Sequence, residues 1–147
     1  MSLKTRLVST NASLWSPLVL RLVLGAVMAG HGAQKLFGWW GGKGFDATIE
    51  GFKGMGFQPP AFWAALAAGG EFFGGLLLIL GLFTRLAAFN VIVIMAVAII
   101  TVHSDAFFLP NGMEYVLVLL AAAVVLLETG GGALSCDSKF KPTVIVK

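Results

Sequence analysis

The sequence predicts an all-α fold, a transmembrane four-helix bundle with a short interfacial helix after the first span. Of the 147 residues, 58% are hydrophobic and 12% are charged, and that charged fraction is about half of what soluble domains carry. In addition, four apolar segments approach or exceed the roughly 20 residues that a helix needs to cross the hydrocarbon of a bilayer. These predicted spans cover about residues 15–36, 61–83, 86–102 and 112–127.

The sequence around the four segments is consistent with membrane helices. Pro17 lies near the start of the first segment, where proline is tolerated, and Pro59 and Pro60 precede the second. Because Arg21 interrupts the first segment, and the apolar region is longer than a signal-peptide core, we interpret it as a retained span. The predicted organisation is therefore an N-terminal segment (1–14), a membrane domain (15–128) and a polar C-terminal tail (129–147).

The first loop, WWGGKGFDATIEGFKGMGFQPP, is itself patterned. Phe45, Ile49 and Phe52 recur at helical spacing, and the charged residues fall on another face, namely Asp46, Glu50 and Lys53. Trp39 and Trp40 are typical of the headgroup region of a bilayer. The pattern predicts a short helix in the outer membrane interface. A loose Gly-rich loop with incidental aromatic residues is the alternative.

The distribution of Lys and Arg near the span ends predicts the orientation, because positive residues accumulate on the cytoplasmic side. On one side lie Lys4, Arg6, Arg85, Lys139, Lys141 and Lys147, and on the other lie Lys35, Lys43 and Lys53. This excess favours both termini in the cytoplasm. The basic residues are scattered, so no patch suited to nucleic acid is present.

Glu71 is the unusual residue of the second span, since an unpaired charge in an apolar environment is costly. It lies near the middle of that span, and Gly70, Gly74 and Gly75 around it would let a neighbouring helix approach closely. We therefore expect the carboxylate to face the bundle interior. Arg21, below the middle of the first span, is the expected partner of Glu71. Asn90 of the third span is expected to form an interhelical hydrogen bond.

Further ionisable residues gather at the same half of the predicted bundle. Helical spacing places Arg21, Met28, Gly32 and Lys35 on one stripe of the first span, with His31 at its edge. The third span ends at His103 and the fourth begins near Glu114, at the same predicted level. The predicted cluster comprises His31, Lys35, Glu71, His103 and Glu114. The alternatives are ordinary span-end charges, histidines that hydrogen-bond between helices, and an Arg21–Glu71 pair that serves only helix registry.

These residue types indicate proton chemistry on a small apolar ligand. Histidine and a carboxylate can exchange protons near neutral pH, and Lys35 or Arg21 can stabilise an anionic form of a ligand. Aromatic residues such as Trp39 and Phe72 offer flat apolar surface. A quinone, whose reduction takes up protons, would suit such a pocket. We find no metal-ligand spacing, no nucleotide-binding fingerprint and no flavin or haem motif, and Cys136 is the only cysteine.

Three stretches of the chain resemble the DoxX family. They are LRLVLGAVMAGHGAQKLFGW, GGEFFGGLLLILGLFTRLAA and TVHSDAFFLPNGMEYVLVLLAAAVVLL, which together span roughly residues 17–128. The resemblance implies a small bacterial inner-membrane protein with four transmembrane helices, linked to quinone reduction or to membrane oxidoreductase complexes. The residues that match the family pattern are Arg21, His31, Lys35, Glu71, Arg85 and Glu114.

The functional hypothesis is a quinone-linked oxidoreductase subunit with a polar site inside the bundle. We assign catalytic roles to His31, Glu71 and His103, and substrate binding to Arg21, Lys35, Glu114, Trp39 and Phe72. Because the chain has no recognised redox group, electron transfer would need a partner oxidoreductase, a diffusible quinol, or both. The alternatives are a non-enzymatic membrane subunit or small-molecule binder that recruits a redox partner, and a small proton-coupled transporter. The sequence is also compatible with a homo-oligomer.

Overall fold

A computed structural model describes residues 9–108, 110 and 112–140, and these form helices and connecting turns without any strand. The helices are α1 (Ser16–Phe37), α2 (Gly44–Gly54), α3 (Pro60–Leu80), α4 (Thr84–Thr101), α5 (Glu114–Thr129) and α6 (Cys136–Lys139), with a 3₁₀ turn at Trp39–Gly41. The orientation residues Lys4, Arg6, Lys141 and Lys147 lie outside the described part of the chain.

The four predicted apolar segments coincide with α1, α3, α4 and α5, within three residues at either end. By length and composition, α1, α3 and α4 are able to cross a membrane. Helix α5 has 16 residues, which corresponds to about 24 Å of helix. Large apolar side chains on the outer faces, such as Val23, Ile100 and Val118, are 61%, 74% and 66% exposed. Such surfaces are unusual in water and suit a lipid environment.

Helices α1 and α3 pack closely because glycines occupy their crossing. A Cβ atom built on Gly25 would lie 2.7 Å from the carbonyl oxygen of Gly75, and one on Gly32 would lie 2.6 Å from Phe72 Cα. These separations are too short for a larger side chain. On the other side of α3, Asn90 Nδ2 of α4 donates a hydrogen bond to Gly70 O at 2.9 Å. This contact confirms the predicted interhelical role of Asn90 and fixes α3 between α1 and α4.

The helix predicted in the first loop is present as α2, which packs against α1 and α3. Phe45, Ile49 and Phe52 are half-buried, whereas Asp46 and the other charged residues of the helix are exposed. Helical spacing of the apolar residues thus predicted the element and the face it buries. The α2 segment follows Gly38, whose φ of 70° ends α1 in the left-handed conformation that glycine adopts readily.

The C-terminal segment packs across the end of the bundle where α3 stops and α4 begins, which we call the tail end. Asp137 is 1% exposed there, and its two carboxylate oxygens accept hydrogen bonds from Phe83 N at 2.8 Å and Thr84 N at 2.9 Å. The first N–H groups of a helix have no partner within the helix, and a negative charge is favourable beside them. Asp137 therefore caps α4, although the sequence predicted only a polar tail.

Arg85 completes the tail end by binding backbone carbonyl groups. Arg85 donates to the carbonyl oxygens of Leu127 and Glu128 in the last turn of α5, and to Ser9 O at 3.0 Å. The last carbonyl groups of a helix lack partners within the helix and carry partial negative charge, so a guanidinium stabilises them. Arg85 thus joins the start of α4 to the end of α5.

Substitution of Asp137 by asparagine should lower the free energy of unfolding by about 1 to 2 kcal/mol, the usual effect of losing a cap or a charge-assisted hydrogen bond. The amide retains one acceptor oxygen, so one of the two N–H groups loses its partner. Thermal unfolding in detergent measures the loss. The control is Asp46→Asn in the first turn of α2, where the side chain is exposed. Equal shifts for both variants would contradict a capping role for Asp137.

Candidate functional site

A cavity of about 240 Å³ lies between α1, α3, α4 and α5, at the end of the bundle opposite the tail end. We call it the inner cavity. It brings together four of the five residues of the predicted cluster, His31, Lys35, Glu71 and His103. The other described residues along its wall are largely apolar, and they include Met28, Met95, Ala98, Tyr115, Val116 and Leu119. The cavity is therefore an apolar space with a few polar groups, which is the usual composition of a small-molecule site.

The central polar feature of the inner cavity is an ion pair between Lys35 Nζ and Glu71 Oε1. Glu71 is 3% exposed, whereas the side chain of Lys35 is 37% exposed. The lysine thus extends from the buried carboxylate to the protein surface. The second carboxylate oxygen, Oε2, is buried and has no hydrogen-bond partner in the described part of the chain. A buried acceptor without a partner is uncommon and costs free energy.

The glycine contacts between α1 and α3 explain why Lys35 reaches Glu71. Gly32 lies against the backbone of Phe72, the residue that follows Glu71. Residues three apart on a helix share a face, so Lys35 projects from the same side of α1 as Gly32. The close approach at Gly32 therefore brings the ammonium group to the carboxylate. The Asn90–Gly70 hydrogen bond holds the residue before Glu71 from the opposite side.

The structure corrects the predicted pairing of Arg21 with Glu71. Arg21 is 2% exposed, and its Nε donates to Gly131 O at 3.0 Å. Its Nη1 donates to Leu78 O and Ile79 O, and its Nη2 to Ala133 O. Leu78 lies seven residues beyond Glu71, or about 10 Å along α3. Arg21 therefore satisfies the carbonyl groups at the end of α3 and belongs to the tail end, away from the inner cavity.

The remaining predicted site residues lie at different distances from the cavity wall. His31 is exposed and His103 is half-buried, and both line the inner cavity. Glu114 is the first residue of α5 and is half-buried, but the cavity wall is formed by its neighbour Tyr115. The structure thus places the predicted histidines at the site and Glu114 beside it.

Trp39 and Phe72 belong to a row of aromatic rings outside the inner cavity. The row runs from Trp40 to Trp39, Phe37, Phe72 and Phe73, with neighbouring ring centroids 5.0 to 5.6 Å apart. Most of these rings are more than half exposed. The predicted aromatic surface exists, but it faces outward from the end of α1 and the middle of α3.

Sequence reasoning did not assign Tyr115, Met28 or Met95 to the site, although all three line the inner cavity. Tyr115 is the only tyrosine in the chain and directly follows Glu114. A phenol at the start of an apolar helix is a signal that could have identified it, because such groups hydrogen-bond when partly buried. Met28 lies on the stripe of the first span that also carries Lys35, which is a positional signal, whereas Met95 carries none, since apolar residues occupy most positions of its helix.

Comparison with known proteins identifies the family. The DoxX profile matches residues 16–104, which cover α1 to α4 and include Lys35, Glu71 and His103. The chain belongs to the DoxX family. Together with its long apolar helices, this membership indicates a multi-pass membrane protein. No solved structure matches this DoxX protein significantly.

Three bacterial proteins are similar to more than four fifths of this chain. This DoxX protein is 33% identical over 120 residues to a Bacillus subtilis (strain 168) protein named "Putative oxidoreductase CatD", covering 82% of this chain and 83% of that protein. Two Haemophilus influenzae (strain ATCC 51907 / DSM 11121 / KW20 / Rd) proteins, both named "Uncharacterized protein", are also similar. One is 33% identical over 126 residues (82% of this chain, 87% of that protein), and the other is 28% identical over 130 residues (86% and 83%).

Proposed function

We propose that this DoxX protein is a quinone-linked subunit of a membrane oxidoreductase, and that the inner cavity holds the quinone ring. The observation that supports this most directly is the buried Oε2 of Glu71, which lacks a partner among the described residues while Oε1 is held by Lys35. A hydroxyl group of a bound quinol would satisfy that oxygen. The name of the Bacillus subtilis relative supports an oxidoreductase role at a coarser level.

The proposed chemistry is the interconversion of quinone and quinol, which transfers two electrons and two protons. Glu71 accepts a hydrogen bond from one quinol hydroxyl and exchanges its proton. His31 and His103, on the wall of the same cavity, exchange the second proton. Lys35 holds the carboxylate in position and connects it to the protein surface. A partner oxidoreductase supplies or receives the two electrons.

The proposed membrane placement has four spans, with α5 as the fourth and α2 in the outer interface. Helix α5 is shorter than the other three, but its outer face is apolar and exposed, as at Val118. In this arrangement the protein spans a bacterial inner membrane, and both termini lie on its cytoplasmic side. The Lys35–Glu71 pair and the inner cavity then lie in the outward-facing half of the bilayer.

Titration of the protein in lipid nanodiscs with decylubiquinone tests the proposal, with bound quinone detected by quenching of tryptophan fluorescence. Substitution Glu71→Gln should raise the Kd about tenfold or more, as expected for loss of a hydrogen bond to a charged acceptor. His31→Ala should slow quinone turnover with the partner. The matched control is Glu50→Gln, on the exposed face of α2, which should leave both values unchanged.

Two results would contradict the proposal. One is unchanged quinone affinity in Glu71→Gln, provided that size-exclusion chromatography shows the variant to be folded. The other is a wild-type protein that binds no quinone above the level of empty nanodiscs. A stable partner enzyme that copurifies with such a protein would favour the non-enzymatic subunit instead.

A further inference from the structure

A second, shallower cavity of about 220 Å³, which is largely open at the protein surface, lies between α1, α5 and the 3₁₀ turn, and we call it the outer cavity. Ala26, Gly30 and Trp40 contribute to its wall. His31 and Tyr115 line both this cavity and the inner cavity. The two cavities are therefore neighbours, and these two residues lie at the boundary between them.

The outer cavity extends from the 3₁₀ turn, at Trp40, to a depth where α1 would be surrounded by lipid. Ala26 is 11 residues before Phe37, the last residue of α1, which corresponds to about 16 Å along the helix. Ala26 is exposed, and Val23, three residues earlier, is 61% exposed. Because these residues are apolar and face outward, the surface beside the cavity suits hydrocarbon better than water.

We infer that the outer cavity is a lateral entrance and tail site, which holds the hydrocarbon tail of a lipid-soluble quinone whose ring occupies the inner cavity. The inference rests on the proposed function and adds the route and the class of ligand. A tailed quinone is dissolved in the bilayer, so a ring that enters between α1 and α5 leaves its tail at the lipid side. His31 and Tyr115 then select for a flat ring at the boundary.

Gly30 provides a way to test the entrance without disturbing the helix packing. A Cβ atom at Gly30 would meet no atom within 4 Å, so a larger side chain there begins in open space beside the outer cavity. Gly69 of α3 is a matched control, because a Cβ atom there also meets nothing within 4 Å and the residue lines neither cavity. Both substitutions place the same side chain on a membrane helix.

The experiment compares two quinones in nanodiscs that contain wild-type protein, Gly30→Leu or Gly69→Leu. Decylubiquinone carries a ten-carbon tail, and duroquinone is a ring without a tail. Gly30→Leu should weaken decylubiquinone binding about tenfold or more and leave duroquinone binding unchanged. The expected cause is steric, since a tail gains little when it moves from lipid to an apolar cavity. Gly69→Leu should change neither affinity.

The outcomes separate this inference from the function on which it rests. Wild-type affinity of Gly30→Leu for decylubiquinone would overturn the tail site, and with it the inferred entrance, and leave the site of the quinone ring in place. An equal loss for both quinones would also overturn it, because the effect would then lie in the inner cavity. Binding of neither quinone by the wild-type protein would contradict the proposed function and the inference together.

Discussion

Methionine in place of Lys35 is expected to lower the free energy of unfolding by about 2 to 3 kcal/mol, because Glu71 loses its cation while remaining buried. This value is below the range for fully buried pairs, since the side chain of Lys35 is 37% exposed and is partly hydrated. Denaturant titration in detergent micelles measures the loss. The control is Lys43→Met, at an exposed lysine before α2, which should change stability little.

The double variant Lys35→Met/Glu71→Gln separates the structural role of the pair from its functional role. Removal of the carboxylate charge should restore more than half of the stability lost in Lys35→Met, because no buried charge is then left without a partner. Quinone binding should stay weaker than in the wild type, since the glutamine amide offers one neutral acceptor oxygen in place of the charged carboxylate. A double variant as unstable as Lys35→Met would contradict the claim that Lys35 stabilises the protein by compensating the buried charge of Glu71. A double variant that binds quinone as the wild type does would show that the pair serves packing alone.

Leucine in place of Gly75 is expected to cost about 3 kcal/mol or more, the upper range for overpacking, and to prevent α1 and α3 from packing. A Cβ atom at Gly75 would lie 2.6 Å from the carbonyl oxygen of Gly25 and also against the backbone of Ala29. Backbone atoms cannot rotate away as a flexible side chain can, so the helices must separate. Size-exclusion chromatography and thermal unfolding in detergent measure the folded fraction.

The matched control for Gly75→Leu is Gly69→Leu, on the same helix, where the added side chain meets open space. It should behave as the wild type does in both measurements. A Gly75→Leu protein with wild-type stability would mean that α1 and α3 do not approach as closely as these distances imply. The Lys35–Glu71 pair depends on the same approach, so loss of packing in Gly75→Leu should also abolish quinone binding.

The sequence predicted the membrane helices and half of the site because both have periodic signals. Apolar length located α1, α3 and α4, and the spacing of Phe45, Ile49 and Phe52 predicted α2. Depth along the spans placed His31 and His103 in the same half of the predicted bundle as Glu71. These signals depend on local spacing, which the helix geometry converts directly into position.

The partner of Glu71 was predicted wrongly because depth alone does not determine which side chains meet. Arg21 and Lys35 both lie on the stripe of α1 that faces the bundle, and the register between α1 and α3 decides between them. That register is set by backbone contact at Gly25, Gly32 and Gly75, which hydropathy cannot reveal. The role of Asp137 was missed for a related reason, because its cap joins residues 53 and 54 positions apart.

The contacts of Arg21 impose an order on the biosynthesis of the protein. Gly131, which accepts from the guanidinium, follows Arg21 by 110 residues in the chain. At about 5 to 20 residues per second, a ribosome needs roughly 5 to 20 seconds to make that stretch. During that interval the first helix carries a charge whose acceptors in residues 131–133 have not yet been made. The hydrogen bonds that hold Arg21 of the first membrane helix against residues 131–133 can therefore form only after α5, the last long helix, has been synthesised.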